Sequence, residues 1–201
     1  MTILGAVSPA GGDMTEPVSA HTQRLVRCVW SLDPDLAYAR HYPAVSWRDS
    51  VTRDADAIAE RQFGERGDDH WRQRRLRALA LVAEADHLES VAELVGRASL
   101  PDRERVVLAG ARLMREAVLQ QSSLSTNDAF CAPAKQEALL DATLQVHDRC
   151  LELVAAGTSA ALIEELDLSK LIAARDTTAA DGAADVERIA EAVLARLEAL
   201  G

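Results

Sequence analysis

Two side chains with the spacing of metal ligands lie in one predicted helix, His147 and Cys150. Positions three apart share a helix face, so the imidazole and the thiol could bind one zinc ion. A structural zinc site needs four ligands, and no matching set follows in the sequence. A buried cysteine beside a surface histidine explains the pair better, so the sequence predicts no metal site.

Phosphoryl transfer requires a glycine-rich loop that carries a lysine, with the pattern GxxxxGK[ST]. The chain has two lysines, Lys135 and Lys170, and neither follows such a pattern. Residues 5–12, GAVSPAGG, are rich in glycine but contain no lysine, and we interpret them as a structural turn. The sequence therefore predicts no catalytic residue for phosphoryl transfer.

Other polar side chains give weaker indications of chemistry. His41 could act as an acid or base, but no nucleophile lies near it in the sequence, so we expect it to pack and hydrogen-bond at a helix end. The acidic residues Glu164, Glu165 and Asp167 have no matching pair and predict a solvated face.

The composition limits which partners and which cellular compartments are plausible. The 201 residues carry a formal net charge of −10, which disfavours nucleic acid as a partner, and the basic cluster 72–77 predicts a solvated helix face. Three widely spaced cysteines (Cys28, Cys131 and Cys150) argue against a disulfide framework and favour a reducing compartment. No apolar run is long enough for a membrane span, and the N-terminus does not look like a secretory signal.

Apolar periodicity predicts a mostly helical protein, since aromatic residues make up only 3% and alanine, leucine and valine dominate. Residues 48–68 are the least regular, with a weak helical centre. Residues 122–133 predict a polar loop, and residues 176–184 a flexible linker. Helices are predicted for residues 18–30, 33–41, 69–95, 102–121, 133–156, 159–165, 169–175 and 185–200.

Residues 1–8, MTILGAVS, predict a short buried strand, and no other segment looks like a sheet. A strand needs neighbours to satisfy its backbone groups and cover its faces. We therefore expect that the rest of its sheet belongs to sequence upstream of Met1, and that residues 3–7 are exposed without it.

Several short sequence motifs in residues 2–157 resemble the C-terminal part of the catalytic A subunit of V-type and archaeal-type rotary ATPases. Tyr42 stands where that family usually has Phe, and residues 48–68 depart from the family's aromatic and serine-rich stretch. The motifs on which the resemblance rests are GAVSPAGGD, EPV, VWSLDPDLAYARHYPA, LVG followed by LPDRER, and ARLMRE followed by LQQ.

The resemblance implies a mostly α fold, a C-terminal helical bundle with one residual strand and turn from a nucleotide-binding domain. The implied division is a strand and turn at residues 1–17, a helical domain at 18–157 and a variable helical tail at 158–201.

The resemblance also implies an adenine pocket, in which the base stacks on an aromatic residue just before a Pro-Ala pair. By position these are Tyr42 and Pro43, and the other two pocket residues of the family align with Leu124 and Phe130. Leu124 replaces an aromatic ring and loses the stacking contribution. Without the resemblance, Tyr42 and Phe130 would be interpreted as core residues.

The implied function is part of a proton- or sodium-translocating ATPase that couples ATP hydrolysis or synthesis to ion transport. ATP or ADP with Mg²⁺ would bind the whole subunit, since the phosphate and Mg²⁺ sites are missing from this chain. The implied partners are the central shaft and the B subunit, with residues 102–104 or 122–128 as the shaft contact. The complex would be cytoplasmic and peripheral to the membrane.

Two alternatives remain open from the sequence. The chain could be a stand-alone, non-catalytic helical module that binds other ATPase subunits, which the missing phosphate loop and Leu124 would fit. It could also be a decayed gene fragment.

Overall fold

The structure is a computed structural model and describes residues 2–63 and 70–201. Over these residues the chain is mostly α-helical, which confirms the predicted fold class. A one-turn π-helix, Arg115–Leu119, continues α5 without a break. The α-helices are α1 Pro17–Leu25, α2 Pro34–Tyr38, α3 Ala55–Phe63, α4 Trp71–Val95, α5 Asp102–Met114, α6 Thr126–Ala129, α7 Pro133–Ala155, α8 Ala160–Glu164, α9 Ser169–Thr177 and α10 Ala183–Glu198.

Local signals fix the ends of the long helices. Asp102 and Glu104 occupy the first turn of α5, where carboxylates favour the positive end of the helix dipole. Pro133 opens α7, where its missing N–H costs no hydrogen bond. Gly96 follows α4 with φ 85°, a backbone conformation that residues other than glycine rarely adopt.

The core has two sides, and α5 and α7 contribute to both. On one side, α4 packs against them through Leu81, Ala85 and Leu88, which meet residues such as Met114 and Leu144. On the other side, α8, α9 and α10 cover the opposite faces of α5 and α7. The two central helices therefore bury two faces each, and the molecule has three helical layers over residues 71–198.

Residues on both sides of the predicted boundary at 157/158 share this core. Leu171 of α9 and Val186 and Leu197 of α10 have no exposed surface, and they pack in the same cluster as Val146 and Leu153 of α7. The segment after residue 157 is thus part of the same hydrophobic core as α5 and α7.

The strand predicted for the N-terminus is not formed. Residues 2–8 have no regular structure. Ile3 and Leu4 are exposed, as expected for this apolar segment without the rest of its sheet. In the described part of the chain no strand pairs with this segment, and an isolated strand leaves its backbone groups without hydrogen bonds. Met1 lies outside the described residues.

A small sheet replaces part of a predicted helix. The helix predicted to reach Trp30 ends at Leu25, and β1 (Cys28–Val29) pairs antiparallel with β2 (Val51–Thr52). An isolated bridge between Leu32 and Val45 extends the contact. The expectation that nothing after residue 8 resembles a sheet is therefore wrong, because tertiary pairing outweighs weak local helix propensity.

None of the helices within residues 2–63 and 70–201 is long and apolar enough to cross a membrane.

Candidate adenine site

The turn that carries Tyr42 is closed by backbone hydrogen bonds on both sides. Asp33 caps α2 by accepting from the Asp35 N–H at 2.8 Å, and its own N–H donates to the Ala44 carbonyl at 2.9 Å. The His41 N–H donates to the Leu36 carbonyl at 2.9 Å, after Arg40 at φ 57°. The Tyr42–Pro43 peptide bond that follows is cis.

One hydrogen bond joins this turn to the loop after α5. The Gln121 N–H donates to the Tyr42 carbonyl at 2.7 Å. Gln121 lies in the loop of residues 120–131, which also contains Leu124 and Phe130. The structure thus connects the two segments in which the predicted pocket residues lie.

The predicted pocket side chains are at the surface. Tyr42 is 54% exposed, Leu124 is 96% exposed and Phe130 is 76% exposed, whereas Pro43 is partly buried. The interpretation of Tyr42 and Phe130 as core residues is therefore wrong. Exposed aromatic faces are available to stack on a flat ligand, which buried ones are not.

The loop 120–131 is held from beneath by Arg175 of α9. The Arg175 guanidinium donates to the Glu116 carbonyl at 2.9 Å and to the Gln120 carbonyl at 2.6 Å. These carbonyls end the α5 and π-helix segment, where the last backbone acceptors have no partner within the helix. The guanidinium also lies 3.9 Å from the Asp128 carboxylate, which accepts a hydrogen bond from the Ser122 N–H.

Lys135 fixes α9 in turn. Its side chain is fully buried, and its ammonium donates to the carbonyls of Arg175 at 2.7 Å, Thr178 at 3.1 Å and Asn127 at 3.2 Å. Arg175 and Thr178 lie at the C-terminal end of α9, the negative end of its dipole, which stabilises a cation. The three carbonyls use all three donors of the ammonium.

Sequence reasoning used Lys135 only to exclude a phosphate loop, and it missed Arg175. One signal was available for Lys135, which lies two residues after Pro133 in the first turn of α7. A cation at this position lies at the positive end of the helix dipole, which is unfavourable. A lysine there therefore indicates that its ammonium is stabilised by contacts with another part of the protein. Arg175 offered no comparable signal, because basic residues are common in the last turn of a helix.

His41 lies next to these groups without joining their hydrogen bonds. Its buried Nε2 has no partner in the described part of the chain. Burial lowers the pKa of His41, and the positive charges of Arg115 and Arg175 lower this pKa further. The lowered pKa favours the neutral form of this imidazole, and no group within residues 2–63 and 70–201 makes the expected side-chain hydrogen bond to its Nε2.

Two cavities in the described part of the chain lie near the loop and α5, and neither is lined by a predicted pocket residue. A cavity of about 30 Å³ under the loop is bordered by Asp128, Cys131 and Arg175, and it has room for a water molecule only. A groove of about 710 Å³ lies on the far side of α5, against α7, α8 and α9. An adenine at Tyr42 would therefore lie on the outer face of the loop.

The predicted pair His147 and Cys150 borders that larger groove. Burial lowers the pKa of His147 and raises the pKa of the Cys150 thiol to about 11, so both are neutral at pH 7. The imidazole packs on Gly110 of α5, and no group of three metal-ligating side chains lies in residues 2–63 and 70–201. His147 is buried, and not at the surface as the sequence suggested.

Comparisons with known proteins agree on one family. Residues 61–163, about half of the chain, match the C-terminal domain of V and A type ATP synthase, and residues 1–52 match the nucleotide-binding domain of the ATP synthase alpha/beta family.

Three curated relatives illustrate the similarity. The V-type ATP synthase alpha chain of Nitrosococcus oceani is 47% identical over 157 residues, which are 78% of this chain and 26% of the relative. The A subunit of the A-type ATP synthase of Ignicoccus hospitalis is 38% identical over 180 residues, 88% of this chain and 30% of the relative. That of Halobacterium salinarum is 35% identical over all 201 residues, 34% of the relative.

This chain spans only about a quarter to a third of the length of these relatives. The matched regions nevertheless include α4, α5 and α7 and both segments of the candidate adenine site. The chain therefore belongs to the family of the C-terminal domain of V and A type ATP synthases.

Proposed function

We propose that this chain is the C-terminal region of the A subunit of a V/A-type ATP synthase and supplies the adenine end of its nucleotide site. The whole complex would couple ATP hydrolysis or synthesis to proton or sodium transport, as a peripheral assembly on the cytoplasmic side of a membrane. Similarity to the A subunit of Halobacterium salinarum along the whole chain supports this assignment over a separate interaction module or a decayed fragment.

In this proposal Tyr42 stacks on the adenine, with Pro43 beside it and Leu124 and Phe130 completing the apolar surroundings. The observation that carries the proposal is the hydrogen bond of 2.7 Å between the Gln121 N–H and the Tyr42 carbonyl. It fixes the aromatic turn against the loop that presents Phe130, although the two segments are far apart in the sequence. The exposure of both rings leaves their faces open to a ligand.

The triphosphate and Mg²⁺ would be held elsewhere in the whole protein. The sequence has no GxxxxGK[ST] loop, and Lys135 is committed to three backbone carbonyls. This chain alone would therefore bind ATP weakly and through the base, with no hydrolysis.

The proposed partners are the central shaft and the B subunit. Of the two candidate shaft contacts, residues 122–128 belong to the proposed adenine loop, and residues 102–104 lie at the opposite end of α5. With about 1.5 Å per residue, α5 and the π-helix turn separate these ends by roughly 25 Å. We therefore propose residues 102–104 as the shaft contact.

The test compares the two tyrosines of the chain. ATP is titrated into the 201-residue protein and into its Tyr42→Ala and Tyr38→Ala variants, with binding followed by NMR. Tyr38 is also exposed and lies four residues earlier in α2, so it controls for the loss of a surface ring. Stacking of a base on an aromatic is worth about 1–3 kcal/mol, which predicts a loss of about 5- to 150-fold for Tyr42→Ala only.

Equal affinities of the two variants would contradict the proposal. Inorganic triphosphate, which carries the charge of ATP without the base, is the ligand control. Binding through adenine predicts that ATP shifts the NMR signals and that triphosphate does not, whereas binding through charge alone predicts shifts with both.

A further inference from the structure

The loop 120–131 has a continuous set of polar contacts behind it, and Arg175 is at its centre. Arg175 donates to the carbonyls of Glu116 and Gln120, and its guanidinium faces the Asp128 carboxylate at 3.9 Å. Asp128 accepts from the Ser122 N–H, and the neighbouring Gln121 N–H donates to Tyr42. The contacts thus lead from α9 to the turn that carries the proposed stacking ring.

The side chains of Arg175 and Asp128 are both shielded from solvent, so their contacts are weakened little by water. The Arg175 side chain is 12% exposed and that of Asp128 is 5% exposed. A planar guanidinium has five donors in a rigid fork, so it can serve two carbonyls while its Nε donates to the Asp176 carboxylate at 3.3 Å and lies 3.9 Å from that of Asp128. A lysine in its place would offer a point charge without that geometry.

The element that supplies Arg175 is itself anchored. Lys135, at the start of α7, binds the carbonyls of Arg175 and Thr178 at the end of α9, and the carbonyl of Asn127 within the loop. The Asn127 side-chain amide also donates to the Asp176 carbonyl at 2.9 Å. The end of α9 and the loop are therefore fixed to the same buried ammonium.

We infer that Arg175, in the helical tail, is a positioning residue for the adenine site, because it holds residues 120–128 in the conformation that contacts Tyr42. This inference rests on the proposed function for its link to adenine. Arg175 does not touch the base, and it acts through Gln120, Asp128 and the Gln121–Tyr42 hydrogen bond. The tail after residue 157 then contributes to nucleotide binding although it lies mostly outside the matched domain at residues 61–163.

The experiment compares Arg175→Met with Arg196→Met in the full chain. Arg196 is a matched control, since it is a tail arginine whose Nη1 donates to a backbone carbonyl, that of Asp167, at 2.9 Å. Amide hydrogen exchange is measured by mass spectrometry on peptides from residues 120–131 and from α5 and α7. Arg175→Met is expected to speed exchange in the loop about tenfold or more while the helices keep their protection.

The second readout is the affinity for ATP measured by NMR. Arg175→Met is expected to lower the ordered population of the loop to about a tenth, and this predicts an ATP affinity about tenfold weaker, because apparent affinity is proportional to the population of the binding-competent conformation. Arg196→Met should leave both readouts unchanged. Uniformly faster exchange along the whole chain, or an unchanged loop, would overturn the inference.

A double variant separates positioning from the cost of an unpaired buried charge. Arg175→Met with Asp128→Asn removes the guanidinium and the more deeply buried of its two carboxylate partners, leaves the partly exposed Asp176, and keeps an acceptor for the Ser122 N–H. The loop should stay unprotected in the double variant, because the Glu116 and Gln120 carbonyls still lack their donor. Recovery of wild-type loop protection would show that only charge burial matters, and would overturn the inference.

The two proposals fail in different ways. If the wild-type chain gives no adenine response, the proposed function fails, and the exchange comparison alone decides whether Arg175 orders the loop. If wild-type binding is adenine-specific but unaffected by Arg175→Met, the positioning role fails and the proposed function stands. If Arg175→Met does not fold, the double variant and Arg175→Lys carry the same comparison.

Discussion

At the scale of single residues, the candidate site depends on side chains that are exposed where a hydrophobic residue would normally be buried. Leu124 is the most exposed of them, with 96% of its surface accessible although the loop that contains it is held by Arg175. A leucine offers apolar area but no ring face. Its position therefore determines how well the proposed adenine site is completed.

Replacing Leu124 by phenylalanine should strengthen ATP binding. The exposed position has room for the ring, and an aromatic contact adds about 0.5–1.5 kcal/mol beyond area burial, which is roughly a 2- to 12-fold gain in affinity. Leu94→Phe is the control, because Leu94 is similarly exposed but lies at the end of α4. NMR titration of both variants measures the effect, and an equal gain in both would indicate non-specific stacking.

At the scale of elements, the contact between α5 and α7 depends on a glycine within a helix. Gly110 is buried in α5, and the His147 imidazole of α7 lies directly over it. A methyl group at Gly110 would lie 2.2 Å from the His147 Nδ1 and 2.9 Å from the His147 Cγ. The missing side chain thus allows the two central helices to pack around the histidine.

Gly110→Ala should destabilise the protein, although the same change in a free helix stabilises by about 1 kcal/mol. The clash with His147 requires the helices to shift, and overpacking of this kind costs about 1–3 kcal/mol. Urea denaturation of the single variants Gly110→Ala and His147→Ala, and of the double variant, measures their coupling. Gly5→Ala is the control, because nothing lies within 4 Å of that position. A more stable Gly110→Ala variant would refute the packing described for α5 and α7.

At the scale of the whole molecule, the helical tail belongs to the same core as the central helices. The faces that α5 and α7 turn away from α4 are covered by α8, α9 and α10. Lys135 adds a polar anchor at the end of α9. The helices of the tail should therefore unfold together with α5 and α7.

Two leucines of the tail test this cooperativity. Leu197 of α10 has no exposed surface, and Leu197→Ala should lower the free energy of unfolding by about 2–5 kcal/mol. Leu162 of α8 is 50% exposed, and Leu162→Ala should cost much less. Thermal unfolding followed by circular dichroism compares them. Similar small losses in both variants would mean that the tail is not part of the cooperative unit.

The sequence predicts the long helices well because each combines many apolar repeats with clear end signals, such as Pro133 and Gly96. The two-residue strands β1 and β2 carry no recognisable alternation, so their pairing could not be predicted. The residues Tyr42, Leu124 and Phe130 could be named only through the family resemblance. Arg175 was missed because its contact with Glu116 joins positions 59 residues apart, which periodicity does not report.

The most direct test of the central claim is to map where ATP contacts the wild-type chain, by NMR transfer between the adenine protons and assigned side chains. The account predicts transfer to the rings of Tyr42 and Phe130 and to Leu124, with no response from Tyr38. Transfer to the groove beside His147, or a response that inorganic triphosphate abolishes completely, would contradict an adenine site at Tyr42.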